Sequence, residues 1–323
     1  MDDTKLMTEA RSAVLKASLL TERVRHSLSP VNALTKADAS PVTLADLGAQ
    51  ALILHHLRQY FPDLPAVAEE DDHALTAQPP LAEALIHHLK TIDSSLDADS
   101  ILESLNLGRH PGGSEGAFWT LDPIDGTRGF LRGDQYALAL ALIECGAPVL
   151  AVLGCPAFPT LPGATSTGVL FSARRGHGAF SQTIGEPGSE NPVRVSSTLD
   201  ASRAVFCESL EPGHSHHGAA AAIAARLGTT CPPVRMDSQC KYAAVARGEA
   251  DIYLRLPTRA GYEETIWDHA AGALLVEEAG GQVSDLDGQP LDFSLGRTLR
   301  ANRGIVATNG HLHEVVLAAV RQA

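Results

Sequence analysis

Three acidic segments combine residue types and spacing suited to divalent-metal chemistry. In Trp119-Thr-Leu-Asp122-Pro123-Ile124-Asp125-Gly126-Thr127, two carboxylates and a hydroxyl fall within six residues. Pro123 biases Asp122 toward an extended backbone, and Gly126 permits a tight turn where the apolar run ends. Such a cluster can converge on hard cations, which favour oxygen ligands. The other two are Glu69-Glu70-Asp71-Asp72, after a short apolar run, and Trp267-Asp268-His269, at the expected start of a helix. Each has an ordinary alternative: a Pro-Asp-Gly turn, a solvated acidic face, and an Asp helix cap. Their joint presence weighs against reading each one as incidental.

The whole chain sets limits on this chemistry. Its 323 residues carry 25 Lys+Arg against 38 Asp+Glu, a net charge of −13. That balance excludes a polymer binder held by phosphate-backbone contacts. A small phosphorylated ligand remains compatible if something local reverses the field. The apolar fraction of 44% and charged fraction of 20% describe a globular chain with a real core. Tyr136 to Phe158 is the most apolar stretch, but Glu144, Gly146, Pro148 and Pro156 break it into two strands around a turn at 146–148, so no membrane span is expected. Five cysteines without a CxxC motif predict reduced thiols and no zinc site. The acidic start Met1-Asp2-Asp3 lacks a secretory signature, which predicts a cytoplasmic protein and leaves a processed organellar form open.

The periodicity predicts helices over 4–28 and 44–60, helical segments within 81–106, and a short strand at 118–121. A β-rich stretch follows through 136–153, 168–172 and 177–181, then an exposed connection over 181–192. Beyond Val193 strands and helices alternate: strands at 203–208, 251–256, 282–284 and 304–308, and helices at 216–227, 238–247 and 268–279. The division predicts an α+β region over 1–195 and an α/β region over 196–323.

These motifs together resemble the 3′(2′),5′-bisphosphate nucleotidases of the inositol monophosphatase superfamily. Glu69-Glu-Asp, Asp122-Pro-Ile-Asp-Gly-Thr127 and Trp267-Asp-His-Ala-Ala-Gly272 are similar to the superfamily's three motifs. Leu121 to Gln135 (LDPIDGTRGFLRGDQ), Ser40 to Asp46 (SPVTLAD), Asp237 to Tyr242 (DSQCKY) and Tyr253 to Pro257 (YLRLP) resemble the nucleotidase branch. The resemblance implies a layered α+β, α/β sandwich of alternating helix and sheet layers, as in fructose-1,6-bisphosphatase. It implies metal ligation by Glu69, Asp122, Asp125, Asp268 and the Ile124 carbonyl, and a water-activating pair, Asp46 and Thr127. Gly126, Thr127, His214, Ser238, Lys241, Arg255 and Asp268 match substrate-binding positions, with His214 in the histidine-serine segment 211–217. Two to three Mg²⁺ ions are implied, with inhibition by Li⁺ and by Na⁺ or Ca²⁺.

The implied reaction removes the 3′-phosphate of adenosine 3′,5′-bisphosphate, or of 3′-phosphoadenosine 5′-phosphosulfate, a role tied to sulfate assimilation. The implied partner is this small molecule, with no nucleic-acid polymer and no membrane, and the protein is a monomer or homodimer. Action on inositol 1,4-bisphosphate or inositol monophosphate is the enzymatic alternative. A catalytically silent sensor is the alternative of another class, and the intact acidic set argues against it. Arg128, where Lys is commoner, and Ala68, where Gly is usual, depart from the pattern without removing a ligand.

Overall fold

The segment Ala137–Glu144 reads Ala-Leu-Ala-Leu-Ala-Leu-Ile-Glu, and its period of two gives a strand with two apolar faces. Leu138, Leu140 and Leu142 face one core, while Ala137, Ala139 and Ala141 face another. Both faces must be covered, and this requirement generates the layers. In the computed structural model of the protein, which describes residues 2–27, 33–35, 41–71, 79–92, 96–186, 188, 190–210, 217–259 and 261–322, helices cover both.

Helices α1 (Asp3–Ser27), α2 (Leu44–Tyr60), α3 (Pro79–Lys90) and α4 (Ala98–Asn106) form the outer layer. In α1, Leu6, Ala10, Ala13, Val14, Ala17 and Leu20 recur at helical spacing and are all buried. Below them lies a seven-stranded sheet, β3 (Ala66–Ala68), β4 (Ala117–Asp125), β5 (Ala137–Glu144), β6 (Ala147–Pro159), β7 (Thr167–Arg174), β8 (Gly178–Thr183) and β9 (Asn191–Val193), neighbours in that order. β3 runs parallel to β4, and the other pairs are antiparallel. A short antiparallel pair, β1 (Ala33–Thr35) and β2 (Pro41–Thr43), leads into α2.

The alanine face of the large sheet packs on α7 (Cys240–Ala246) and α8 (Ala270–Glu278), which come from the second half of the chain. These rest in turn on a five-stranded mixed sheet ordered β11 (Val234–Arg235), β10 (Phe206–Glu208), β12 (Ile252–Arg255), β14 (Ile305–Thr308) and β13 (Gln282–Ser284). Its far face is covered by α6 (His217–Arg226) and α9 (His313–Val320). The order is helix, sheet, helix, sheet, helix, as the resemblance implied. The middle core draws residues from both halves, so their relative position is fixed by shared packing.

Several boundaries differ from the expectations for physical reasons. The hairpin turn is Cys145-Gly146, one residue earlier than expected, with φ of 49° and 79°. Two consecutive positive φ values match the twist of the flanking strands. The expected connection over 181–192 instead ends in β9, which pairs with β8. The helix expected from 268 starts at Ala270, with His269 at its cap position. All five cysteines are free thiols.

Candidate active site

The strand expected at 118–121 continues through Asp125, carrying the central motif out of the sheet. Opposite β5, Asp122 pairs with Ala139 and Asp125 with Ala137, so three steps on one strand match two on the other. That bulge puts both aspartates on one side, which a regular strand would not do for residues three apart. Pro123, which has no N–H to donate, sits inside it. Gly126 follows at φ 85°, and a Cβ there would lie 3.0 Å from the Ser238 Cβ. The short helix α5 (Thr127–Arg132) then begins, which leaves the Pro-Asp-Gly turn unrealised.

A cleft of about 390 Å³ opens at this point, lined by Glu69, Asp122, Ile124, Asp125, Gly126, Thr127, Ser238, Lys241, Arg255 and Asp268 among others. Glu69 is delivered by the end of β3, where its N–H donates to the Leu121 carbonyl at 3.2 Å. Asp268 comes from the second half, just ahead of α8. Asp46, buried in the first turn of α2, accepts from Thr127 Oγ1 at 3.4 Å. The same hydroxyl lies 3.2 Å from the Ile124 carbonyl. His214 lies outside the described residues.

The electrostatics suit a bound cation. Asp122 is buried, and among the described residues its Oδ1 has no hydrogen-bond partner. Burial pushes its carboxyl well above the usual range, and the charges of Glu69, Asp125 and Asp268 add to that. Asp125 is pushed up to about 7 by burial and then by Asp268, against the pull of Lys241 and Arg255. Asp268 is raised too, again first by burial. Carboxylates that resist ionising beside one another, with an orphaned buried oxygen among them, fit hard divalent ions of the Mg²⁺ type. Glu264, Asp268 and His269 also gather within 4.8 Å. Glu264, however, accepts from Arg255 Nε at 3.1 Å and lies 3.2 Å from His269 Nε2, so both its oxygens are engaged.

On the substrate side, the helix expected over 238–247 starts at Cys240, so Ser238 lies ahead of it in a left-handed conformation, φ 67°, and does not share a helical face with Lys241. Its Oγ accepts from Cys240 N at 3.2 Å. Lys241 is buried, with Nζ 5.3 Å from the centre of the Tyr253 ring. Burial lowers its pKa, and Asp125 opposes that. Arg132, at the end of α5, pairs with Asp134 and Asp237.

Sequence reading passed over the residues that hold the acids in place. Gln50 clamps the Glu70 backbone in both directions, at 2.7 and 3.0 Å. Gln239 donates its N–H to Asp125 and its Nε2 to the Trp267 carbonyl at 2.8 Å, and accepts from Gly272 N at 2.9 Å. Behind them, Tyr242 OH, His269 and Glu264 form a buried chain ending at Arg255. Gln50 follows Asp46 by one helical turn, a spacing that could have flagged it.

The Inositol monophosphatase family model matches residues 2–323. A 3′(2′),5′-bisphosphate nucleotidase of Schizosaccharomyces pombe is 46% identical over 96% of this chain and 93% of its own. One from Dictyostelium discoideum is 39% identical over 99% and 97%. Among solved structures, the extragenic suppressor protein SuhB from Bartonella henselae superposes with a TM-score of 0.70 at 23% identity, covering 99% of each chain. An inositol monophosphatase from Anabaena gives 0.67 at 21%, covering 100% of this chain and 98% of its own.

Proposed function

The chain belongs to the inositol monophosphatase family, and from that premise we propose a metal-dependent 3′-phosphatase of adenosine 3′,5′-bisphosphate. It is a phosphatase of small bisphosphorylated nucleotides, releasing the 3′-phosphate. Full-length identity of 39–46% to proteins named as bisphosphate nucleotidases supports the substrate class. The observation that carries the chemistry is the convergence of Glu69, Asp122, Asp125 and Asp268 on one cleft.

These four side chains and the Ile124 carbonyl would hold two to three Mg²⁺ ions. When bound, Mg²⁺ lowers the pKa of a coordinated water and neutralises charge on the leaving oxygen. Thr127 directs its hydroxyl proton to Asp46 and Ile124, so its lone pairs accept a hydrogen bond from the attacking water. Asp46 takes up the proton that the water loses. Lys241 and Arg255 bring positive charge into the cleft for the second phosphate, with Ser238 and Gly126 also in its lining. The 3′-phosphate of 3′-phosphoadenosine 5′-phosphosulfate fits the same scheme, and Li⁺ would inhibit by competing for a cation position. The ligands divide between the regions 1–195 and 196–323, with Asp268 and the phosphate-binding cations in the second. A monomer or homodimer in the cytoplasm suits the free thiols. Among the described residues, no helix is long and apolar enough to cross a membrane.

The test is phosphate release from adenosine 3′,5′-bisphosphate, its 5′-phosphosulfate relative and inositol 1-phosphate, with Mg²⁺, with EDTA and with added Li⁺. The expected result is Mg²⁺-dependent, Li⁺-inhibited release that favours the nucleotides. A kcat/KM on inositol 1-phosphate equal to or above that on the bisphosphate would overturn the substrate assignment.

A further inference from the structure

Glu69 and Asp268 come from different halves of the chain, and metal ligands must keep their spacing within about 0.5 Å to work together. Residues 297–299 lie beside 264–266 as a short clip: Leu299 N donates to Glu264 O at 2.8 Å, Ile266 N donates to Arg297 O at 3.1 Å, and Thr265 bridges Thr298. This clip ends one residue before Trp267-Asp268. From it the Arg297 side chain crosses to the first half. Its Nη2 donates to the Ala68 carbonyl at 2.7 Å, and its Nη1 to the carbonyls of Gly108 and His110 at 3.2 and 3.1 Å. The guanidinium carbon sits 4.8 Å from the centre of the Trp267 ring. Ala68 directly precedes Glu69, and Trp267 directly precedes Asp268. Among the described residues no carboxylate pairs with Arg297, so its charge is directed at backbone oxygens.

We propose that Arg297 is a positioning residue for the metal-binding acids, fixing Glu69 of the first half against Asp268 of the second. The planar fork matters, because its edge holds three carbonyls while its face lies on the indole. Lysine offers a point charge and cannot do both. Gln239 makes the corresponding link on the other side, from Asp125 to the Trp267 carbonyl. The inference rests on the metal-site reading above.

The test is direct Mn²⁺ binding to the full chain, with free Mn²⁺ read by electron paramagnetic resonance, for wild type, Arg297→Ala and Arg297→Lys. Loss of an orienting partner behind a ligand typically weakens metal affinity about 10- to 100-fold. Both variants are expected to fall in that range, with a parallel rise in the Mg²⁺ needed for half-activation. At saturating Mg²⁺, KM for the nucleotide should stay within about twofold of wild type. Leu317→Ala, in the remote core under α9, serves as a control of lowered melting temperature and should bind Mn²⁺ as wild type does. If the Arg297 variants do not fold, Trp267→Leu, which removes the stacked face and trims an edge of the middle core, is expected to weaken Mn²⁺ binding several-fold, beyond any change in Leu317→Ala. Wild-type Mn²⁺ affinity in a folded variant, or an equal loss in Leu317→Ala, would overturn the proposal. An absence of Mn²⁺ binding by wild type would overturn the metal site itself, and this proposal with it.

Discussion

Without metal, the acidic cluster should make the fold less stable as pH rises, and Asp125 sets the scale. Its pKa is 3.8 in the ordinary state and about 7 in the folded protein, raised first by burial and then by Asp268. Folding therefore favours the protonated carboxyl. Its stabilising contribution is complete below about pH 4 and is lost as pH climbs to about 7. Three pKa units correspond to about 4 kcal/mol, and water entering the open cleft screens this to roughly 2. For a chain of this size, that is about 4 °C in melting temperature. His56 and His313, both lowered by burial, act in the opposite sense over the same window, so the raw profile is a difference of terms. Asp125→Asn removes that carboxylate's part together with its push on Asp122, and leaves the histidines as they are. In EDTA its melting temperature should therefore rise relative to wild type as pH goes from 5 to 8. With saturating Mg²⁺ the order should reverse, since metal at 100 times its Kd adds about 2.7 kcal/mol that the variant largely forfeits. Thermal melts of both proteins at each pH, with EDTA and with Mg²⁺, give the answer. A difference between the two proteins in EDTA that does not change with pH would refute the reasoning.

Four further outcomes follow from particular contacts. Thr127→Ala should lower kcat about 10²- to 10⁴-fold while Mn²⁺ binding stays near wild type, because the hydroxyl serves the water and Asp46; steady-state kinetics beside a metal titration checks both. Lys241→Met should raise KM for adenosine 3′,5′-bisphosphate more than for a 3′-phosphate lacking the second phosphate, and an equal change on both would remove Lys241 from that role. Burial alone would raise Glu264, but the His269 hydrogen bond and the Arg255 charge outweigh it and hold the carboxyl at about 2. Its stabilisation is present above pH 4.5 and lost toward pH 2, so Glu264→Gln should destabilise the protein by about 2–3 kcal/mol at pH 7, with the gap shrinking from pH 5 to 3 in denaturant titrations. Gly272→Ala would place a Cβ 2.3 Å from the Tyr242 ring, and overpacking of about 1–3 kcal/mol should appear as a lowered urea midpoint.

The sequence makes the acids legible and leaves the parts that aim them largely hidden, for a physical reason. Asp122, Asp125, Glu69 and Asp268 sit in short segments whose composition is itself unusual, and periodicity places α1, α2 and β5 within a residue or two. Gln239 and Arg297 look ordinary in their local sequence, and Gln50 is marked only by its place one helical turn after Asp46. Their importance comes from partners 20 to 229 positions away, and no local pattern encodes such a pairing. The bulge at Asp122-Pro-Ile-Asp125 is an intermediate case. Proline announces an irregularity, but only the register against Ala139 and Ala137 shows that it turns both carboxylates to one side.

The same distinction explains how a chain of net charge −13 can handle a doubly phosphorylated substrate. The acids of the cleft are held together by neutral amides and by Arg297, whose charge is directed at carbonyls. The polypeptide therefore leaves its carboxylates largely uncompensated. Lys241 and Arg255 line the same cleft and offset only part of the charge on Asp125, and Arg255 is itself bound to Glu264. Cations must supply the missing charge before an anion can approach, so the substrate's affinity is linked to the metal's. Measured KM for the bisphosphate should then fall as Mg²⁺ rises toward saturation, reaching a plateau at the concentration where direct titration fills the site. A KM independent of Mg²⁺ below that concentration would mean that protein cations alone hold the phosphates, and the acidic cleft would have no part in binding them.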